Sequence, residues 1–209
     1  MKQLNPMLWM IVALLGLAFA GDVFAAPSEE CPAWQADYVP ISAASPFKDK
    51  VEYPEIARML AKKWARVFGI PSSWIISQAY VESQNHPLAA NPRTGATGLL
   101  QIKLIRARDL VKWISQSRWA ANAAVHKILE TYWHNIRSSL LAPELNVMLA
   151  AFDLHHLRER FGSDHRLVAA AYNQGEGCIA RCLASGSPLP PRAVEYVARV
   201  ERAKKHGYS

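Results

Sequence analysis

From Pro54 onward the apolar residues recur at intervals of three and four, and nowhere do they alternate with polar ones as the face of a half-buried strand does. A chain with only that period must be built from helices that bury their apolar stripes against one another. Ile56, Met59, Leu60, Trp64, Val67 and Phe68 mark an amphipathic helix over 54–68, ended by Gly69. Pro71-Ser72-Ser73 signals a fresh start with Ser72 or Ser73 as cap, and Trp74, Ile75, Ile76, Ala79 and Tyr80 make the helix that follows apolar on nearly all sides. Further helices are expected over 99–113, over 118–141 as one long element broken by Ala142-Pro143, over 144–161 up to Gly162, over 166–172 behind an Asp164 cap, and over 178–184 and 192–205. The fold class is therefore mainly α, with little or no β structure. With 51% apolar and 20% charged residues, the chain has the composition of a packed domain and not of a disordered one.

One carboxylate interrupts this pattern. Glu82 ends the most apolar of the helices, so it is either a paired core group or a functional acid. After it, residues 85–97 form a loop too long and too rich in Asn, Pro and Gly for a plain connector. Gly98-Leu99-Leu100-Gln101 is then expected to open the next helix, which would bring Glu82 and Gln101 to one cleft. Lys103, Arg106, Arg108 and Lys112 read as a solvated basic face. His126 and His134 lack a third ligand, and the rings of His155 and His156 diverge, so no metal site is expected.

The ends of the chain have a different composition. Residues 1–25 read as a signal peptide, with Lys2, an apolar run from Met7 to Ala20, and Val23-Phe24-Ala25 before a cleavage point at Ala26. The run is short for a membrane span and Asp22 closes it, so no stable span is expected after cleavage. Residues 26–52, with Pro27, Pro32, Pro40 and Pro46, read as an irregular arm, and 53–209 as the folded domain. Removing residues 1–25 takes away only Lys2 and Asp22, so the net charge of +7 is unchanged. That charge suits an anionic polymer, whether wall glycan with peptide carboxylates, nucleic acid or acidic lipid, and does not choose among them. An exported chain meets an oxidising compartment, which makes Cys31, Cys178 and Cys182 disulfide candidates. Cys178 with Cys182, one turn apart, would need a distorted helix, and Cys31 with either is the alternative.

Four segments, in order, resemble the soluble lytic transglycosylase family of the lysozyme-like superfamily. They are Glu82-Ser83 at a helix end; Gly95-Ala96-Thr97-Gly98-Leu99-Leu100-Gln101, with Leu100 where the family usually has Met; Ala171-Tyr172-Asn173-Gln174-Gly175, preceded by Asn146 at a helix start; and Tyr196-Val197 in the last helix. Departures are Asn85-His86-Pro87, the loop Asn91-Pro92-Arg93-Thr94, and Arg192-Ala193 in place of a Glu-Thr pair, while residues 115–141 have no counterpart.

The resemblance implies a lysozyme-like helical domain that cleaves the β-1,4 bond between N-acetylmuramic acid and N-acetylglucosamine without water, leaving a 1,6-anhydro end. Glu82 would be the catalytic acid. Tyr172 would orient it, Ser83 assist it, and Gln101 and Asn173 hold acetamido or hydroxyl groups, with Leu100 and Tyr196 completing the substrate site. No metal or cofactor is implied. The partner would be peptidoglycan glycan strands and not nucleic acid, in the periplasm or outside the cell, and by analogy a secretion or conjugation apparatus spanning the envelope. Two rival readings share the fold: a hydrolytic muramidase, and a wall-binding component of such an apparatus whose catalytic site has decayed.

Overall fold

The computed structural model describes residues 53–206, and every regular element among them is helical. Two isolated antiparallel bridges, Ala90 with Thr97 and Thr97 with Ile102, are the only β pairing among the described residues. The segments 1–25 and 26–52 and Cys31 lie outside the described residues.

Helix α1 (Tyr53–Phe68) buries Ala57, Leu60, Ala61, Trp64, Ala65 and Phe68 along one stripe, while Ile56 and Met59, which share its apolar period, stay exposed. Gly69 then turns the chain with φ 69°, a left-handed value that favours glycine. Helix α2 (Ser72–Ser83) follows. Its N-cap is Pro71 in extended conformation, with no side-chain cap bond, so neither Ser72 nor Ser73 is the cap. Both serines lie inside the first turn, where the Ser73 carbonyl accepts from Ser77 Oγ at 2.7 Å, because the fixed φ of Pro71 already sets the entry of the helix.

The next helix does not begin at Gly98. Residues 98–101 form a turn closed by Gln101 N–H on Gly98 O at 3.1 Å, and helix α3 (Leu104–Ser115) starts only beyond it. Gln101 holds φ 49°, outside the helical region. The expected long helix over 118–141 is also divided. It consists of a 3-10 turn at Arg118–Ala121, helix α4 (Ala123–Tyr132), a second 3-10 turn at Trp133–Asn135 and the short α5 (Ile136–Ser139). Two asparagines account for the breaks: Asn122 Oδ1 accepts from Ala124 and Val125 N–H, and Asn135 Oδ1 from Ser138 N–H, each starting a new helix where the apolar period runs on.

Helix α6 (Pro143–Phe161) is the centre of the domain. Every residue from Leu145 to Leu154 is buried, which fits a helix apolar on all sides. Packed on it are α1, α3, α4 and helix α7 (His165–Gln174), the last capped by Asp164, whose side chain accepts from Arg166 N–H. Helix α8 (Glu176–Ser185) follows α7 directly, and α9 (Pro191–Lys205) packs on both α7 and α2. In α8, Cys178 is disulfide-bonded and Cys182 is a free thiol, so these two do not pair with each other. No helix among the described residues is long and apolar enough to cross a membrane.

Asn146 ties α6 to the turn. Fully buried, it accepts from Leu100 N–H at 2.8 Å and donates to Thr97 O at 2.8 Å and Leu140 O at 3.0 Å. Gly98 lies so close to this amide that a Cβ there would stand 2.3 Å from Asn146 Nδ2 and 2.5 Å from Leu140 O, and its φ of 81° is itself left-handed. Gly98→Ala should therefore destabilise the domain by more than about 2 kcal/mol, read from chemical denaturation. Gly95→Ala, where no atom lies within 4 Å, should cost less, since only the left-handed φ of 69° opposes it.

Candidate active site

The end of α2, the turn at 98–103 and the helices α3, α7 and α9 enclose a cleft of about 510 Å³. Glu82 lines it, together with Ser83, Gln101, Tyr172, Asn173 and Tyr196 of the residues singled out in the sequence. Leu100 does not. Its side chain is fully buried in the core, and only its backbone serves the site, because the turn points the side chain inward once Asn146 holds its N–H.

Glu82 keeps partial access to the cleft, and protein packs around the rest of it. Burial pushes its carboxyl up from the ordinary 4.5 to about 7, against the lowering pull of a hydrogen bond from Tyr196 and of the positive charges of Arg199 and Lys103. Tyr196 Oη donates to Glu82 Oε1 at 2.7 Å. Tyr172, expected to orient Glu82, donates to the Leu100 carbonyl at 2.8 Å and so braces the turn instead. Tyr196 comes to the acid because α9 packs along α2, turning Tyr196, Val200 and Ala203 toward Val81.

The remaining residues are held by backbone. Ser83 Oγ bonds Leu99 O at 2.8 Å and Ala79 O at 3.1 Å, fastening the helix end to the turn. Gln101 Nε2 donates to Ala89 O and Gly98 O, which leaves its carbonyl oxygen as the group that can meet a ligand. Asn173 Oδ1 accepts from Gln174 Nε2 at 2.7 Å, which leaves its amide nitrogen to donate elsewhere.

The cleft also holds groups that the sequence reading passed over or, for Lys103 and Arg106, placed on a solvated face. Asp153 of α6 and Glu176 of α8 line it, as do Lys103, Arg106 and Arg199. Arg106 therefore belongs to the cleft and not to a solvated face. It grips Asp153 bidentately, with Nε to Oδ2 at 3.0 Å, and its guanidinium lies 4.8 Å from the ring of Trp113. Glu176 bonds His156 Nε2 at 3.0 Å and faces Arg160 Nη1 at 3.4 Å. Asp153 had one visible signal, being the only charge between Leu145 and Leu154. Arg199 had none. Among the described residues no group of three or more His, Cys, Asp or Glu could hold a metal.

The chain has a match among known protein families. The model of the transglycosylase SLT domain family covers residues 59–188, more than half of the chain. The chain belongs to the transglycosylase SLT domain family. Soluble lytic murein transglycosylases of Escherichia coli K12 and Salmonella typhimurium LT2 are each 26% identical to it over 156 residues, covering 75% of this chain. The chain spans only about a fifth of the length of these curated relatives, 22%.

Two solved structures superpose on it. One is an inactive variant of lytic transglycosylase Slt from Pseudomonas aeruginosa, with TM-score 0.57 and 22% identity over 76% of this chain and 25% of that one. The other is the 70 kDa soluble lytic transglycosylase of Escherichia coli, with TM-score 0.56 and 26% identity over 72% and 23%. The fold of this SLT-family chain is thus the helical lysozyme-like one. Glu82, the turn and Asn173 fall within the family span, while Tyr196 and Arg199 lie beyond it.

The raised carboxyl has a cost for folding. Between 4.5 and about 7 the folded chain binds a proton on Glu82 that the unfolded chain does not, so stability falls as pH rises through that window. The full difference is about 3 kcal/mol, lessened by the water that reaches the cleft side. Glu82→Gln, which keeps an acceptor for Tyr196, should therefore unfold several degrees above the parent at pH 8. The two should converge as pH falls toward 4.5 in thermal unfolding followed by circular dichroism.

Proposed function

We propose that the chain is a peptidoglycan lytic transglycosylase with Glu82 as its single acid–base group. The observation that carries this reading is the contrast among the three cleft carboxylates. Burial raises Asp153 too, but Arg106 grips it and pulls its value back down, and Glu176 is engaged by Arg160 and His156, whereas Glu82 meets a tyrosine hydroxyl and holds its proton up to about 7. A neutral acid in a partly dry cleft is what protonation of a glycosidic oxygen requires.

Glu82 gives its proton to the leaving oxygen of N-acetylglucosamine, and the C1–O bond of N-acetylmuramic acid breaks toward an oxocarbenium-like centre. The substrate's acetamido group stabilises that centre. The Glu82 carboxylate, with Tyr196 donating to it, then takes the proton of the C6 hydroxyl as O6 bonds to C1, which closes the 1,6-anhydro ring and returns the acid to its starting form. Gln101 and Asn173 are the proposed holders of acetamido or hydroxyl groups. Tyr172 and Ser83 keep the turn in place against α2 and α7.

In the same reading residues 1–25 direct export, 26–52 form an arm, and 53–209 open the wall locally from the periplasmic or outer side, in the service of an envelope-spanning apparatus. A hydrolytic muramidase would need a base for water, and both other carboxylates in the cleft are engaged by cations. The formed site around Glu82 speaks against a decayed wall-binding component.

Glu82→Gln should lower release of 1,6-anhydromuropeptides from purified sacculi by at least about 100-fold, the usual weight of a general acid. Mass spectrometry decides the chemistry: products heavier by one water would replace this reading with hydrolysis. Activity of the parent should fall as pH rises through about 7, because the acid must start protonated. Tyr196→Phe removes the bond that lowers the Glu82 value, so it should move this alkaline limb to higher pH while reducing the maximal rate, as read from pH–rate profiles.

A further inference from the structure

The cleft has two centres of charge, and the acid belongs to only one of them. In the first, Glu82 accepts from Tyr196 and feels the charges of Lys103 and Arg199. In the second, Arg106 of α3 grips Asp153 of α6, and one turn further along α6 His156 holds Glu176 of α8 at 3.0 Å. The charge of Glu176 acts on both Arg106 and Asp153, so these groups lie together. Glu82 and Asp153 both act on Tyr172, which places that ring between the two centres.

Ile105, the residue before Arg106, lines the cleft and is 71% exposed. A single apolar side chain at a surface is ordinary, but one left open inside a cleft adds nothing to the core and offers an apolar contact to whatever fills the space. Glu176 comes to the same end of the cleft from α8, with His156 on its Oε2 and Arg160 on its Oε1 fixing the carboxylate. An ionised carboxylate has about four lone-pair sites, so two donors leave room for others from the cleft. A sugar ring presents an apolar C–H face and an edge of hydroxyl and amide N–H donors, and an aliphatic wall with a fixed carboxylate meets both. An anionic guest would be repelled by Glu176, and a purely apolar one would cost that carboxylate its water without giving it a donor.

We infer that Ile105 and Glu176 are specificity-determining residues that hold a sugar ring beyond the pair at the cut bond, Ile105 against its C–H face and Glu176 accepting from its hydroxyl or acetamido N–H groups. The inference rests on the reading of Glu82 as the acid of a glycan-cleaving enzyme. The strand is then gripped at two points, one of them away from the reacting carbon. A ring held in the same way before and during the reaction contributes uniform binding, so the loss of its contacts raises KM and leaves kcat. Ile105 is exposed, so changing it costs the fold little, and a purely structural role predicts no kinetic effect there.

The test measures kcat and KM on soluble glycan chains released from sacculi by an amidase, with products separated by chromatography. Ile105→Ser and Glu176→Gln, the latter keeping an acceptor for His156, should each raise KM about fivefold, and the double variant about twentyfold, with kcat within about twofold. Ile105→Val, which keeps the apolar wall, should stay near the parent, and the Ile105 variants should unfold within about 2 °C of it. In a Glu82→Gln background, calorimetry with the tetramer of N-acetylglucosamine, a neutral probe, should show the same loss of affinity on adding Ile105→Ser and Glu176→Gln. A KM or a tetramer affinity within about twofold of the reference in the double variant, or a fall in kcat at unchanged KM, would overturn the inference and leave the proposed activity standing. A parent that cuts none of these chains would overturn both.

Discussion

The buried amide of Asn146 is the constraint on which the site depends. It lies in the most enclosed helix of the domain and satisfies the backbone of a segment that has no regular structure of its own. Unpaired backbone groups cannot be left in such a place without a cost of ~1–3 kcal/mol each, so the turn at 98–101 takes the one conformation in which Asn146 meets it on both sides. Leu100 is thereby turned into the core, Gln101 toward the cleft, and the Leu99 and Leu100 carbonyls toward Ser83 and Tyr172. The position of the acid is set through the same contacts, since Ser83 is its neighbour in the chain.

Around that anchor, desolvation and hydrogen bonding act on Glu82 in opposite directions. Enclosure by α2, α9 and the turn favours its neutral form, and Tyr196, Arg199 and Lys103 favour the charged one. The balance leaves a carboxyl able both to give and to accept a proton near neutrality, which a one-acid mechanism needs. Lys103 shows the same enclosure from the other sign: burial draws its value down, and the charge of Glu82 pulls it back.

Much of this could be read from the sequence where the cause is local. The ends of α1 and α6 follow from Gly69, Pro143 and Gly162 at the limits of an apolar period, and Glu82 with Gln101 from a motif. Features caused from a distance could not. The turn at 98–101 reads as helix because nothing nearby forbids it, and the amide that forbids it lies 48 residues beyond Gly98, at Asn146. Which of two tyrosines reaches the acid depends on how α9 lies along α2, a matter of packing and not of spacing. The breaks at Asn122 and Asn135 were in the sequence, but the apolar period runs across them and hides the caps. Arg106 looked like one more surface cation because its partner Asp153 lies 47 residues away.

That pair of Arg106 and Asp153, with Trp113 under the guanidinium, has an effect when the cleft is filled. Charges taken from water into protein seldom add net stability, and their main yield here is one orientation of α3 on α6. Arg106 is still partly open to the cleft, so solvent weakens its hold on Asp153 while the cleft is empty. A ligand that displaced this water would lower the local dielectric and strengthen the pair without touching it. Under the proposed function the wall of the cleft would stiffen as the polymer enters, and a polymer held between firmer walls would slide less during the reaction.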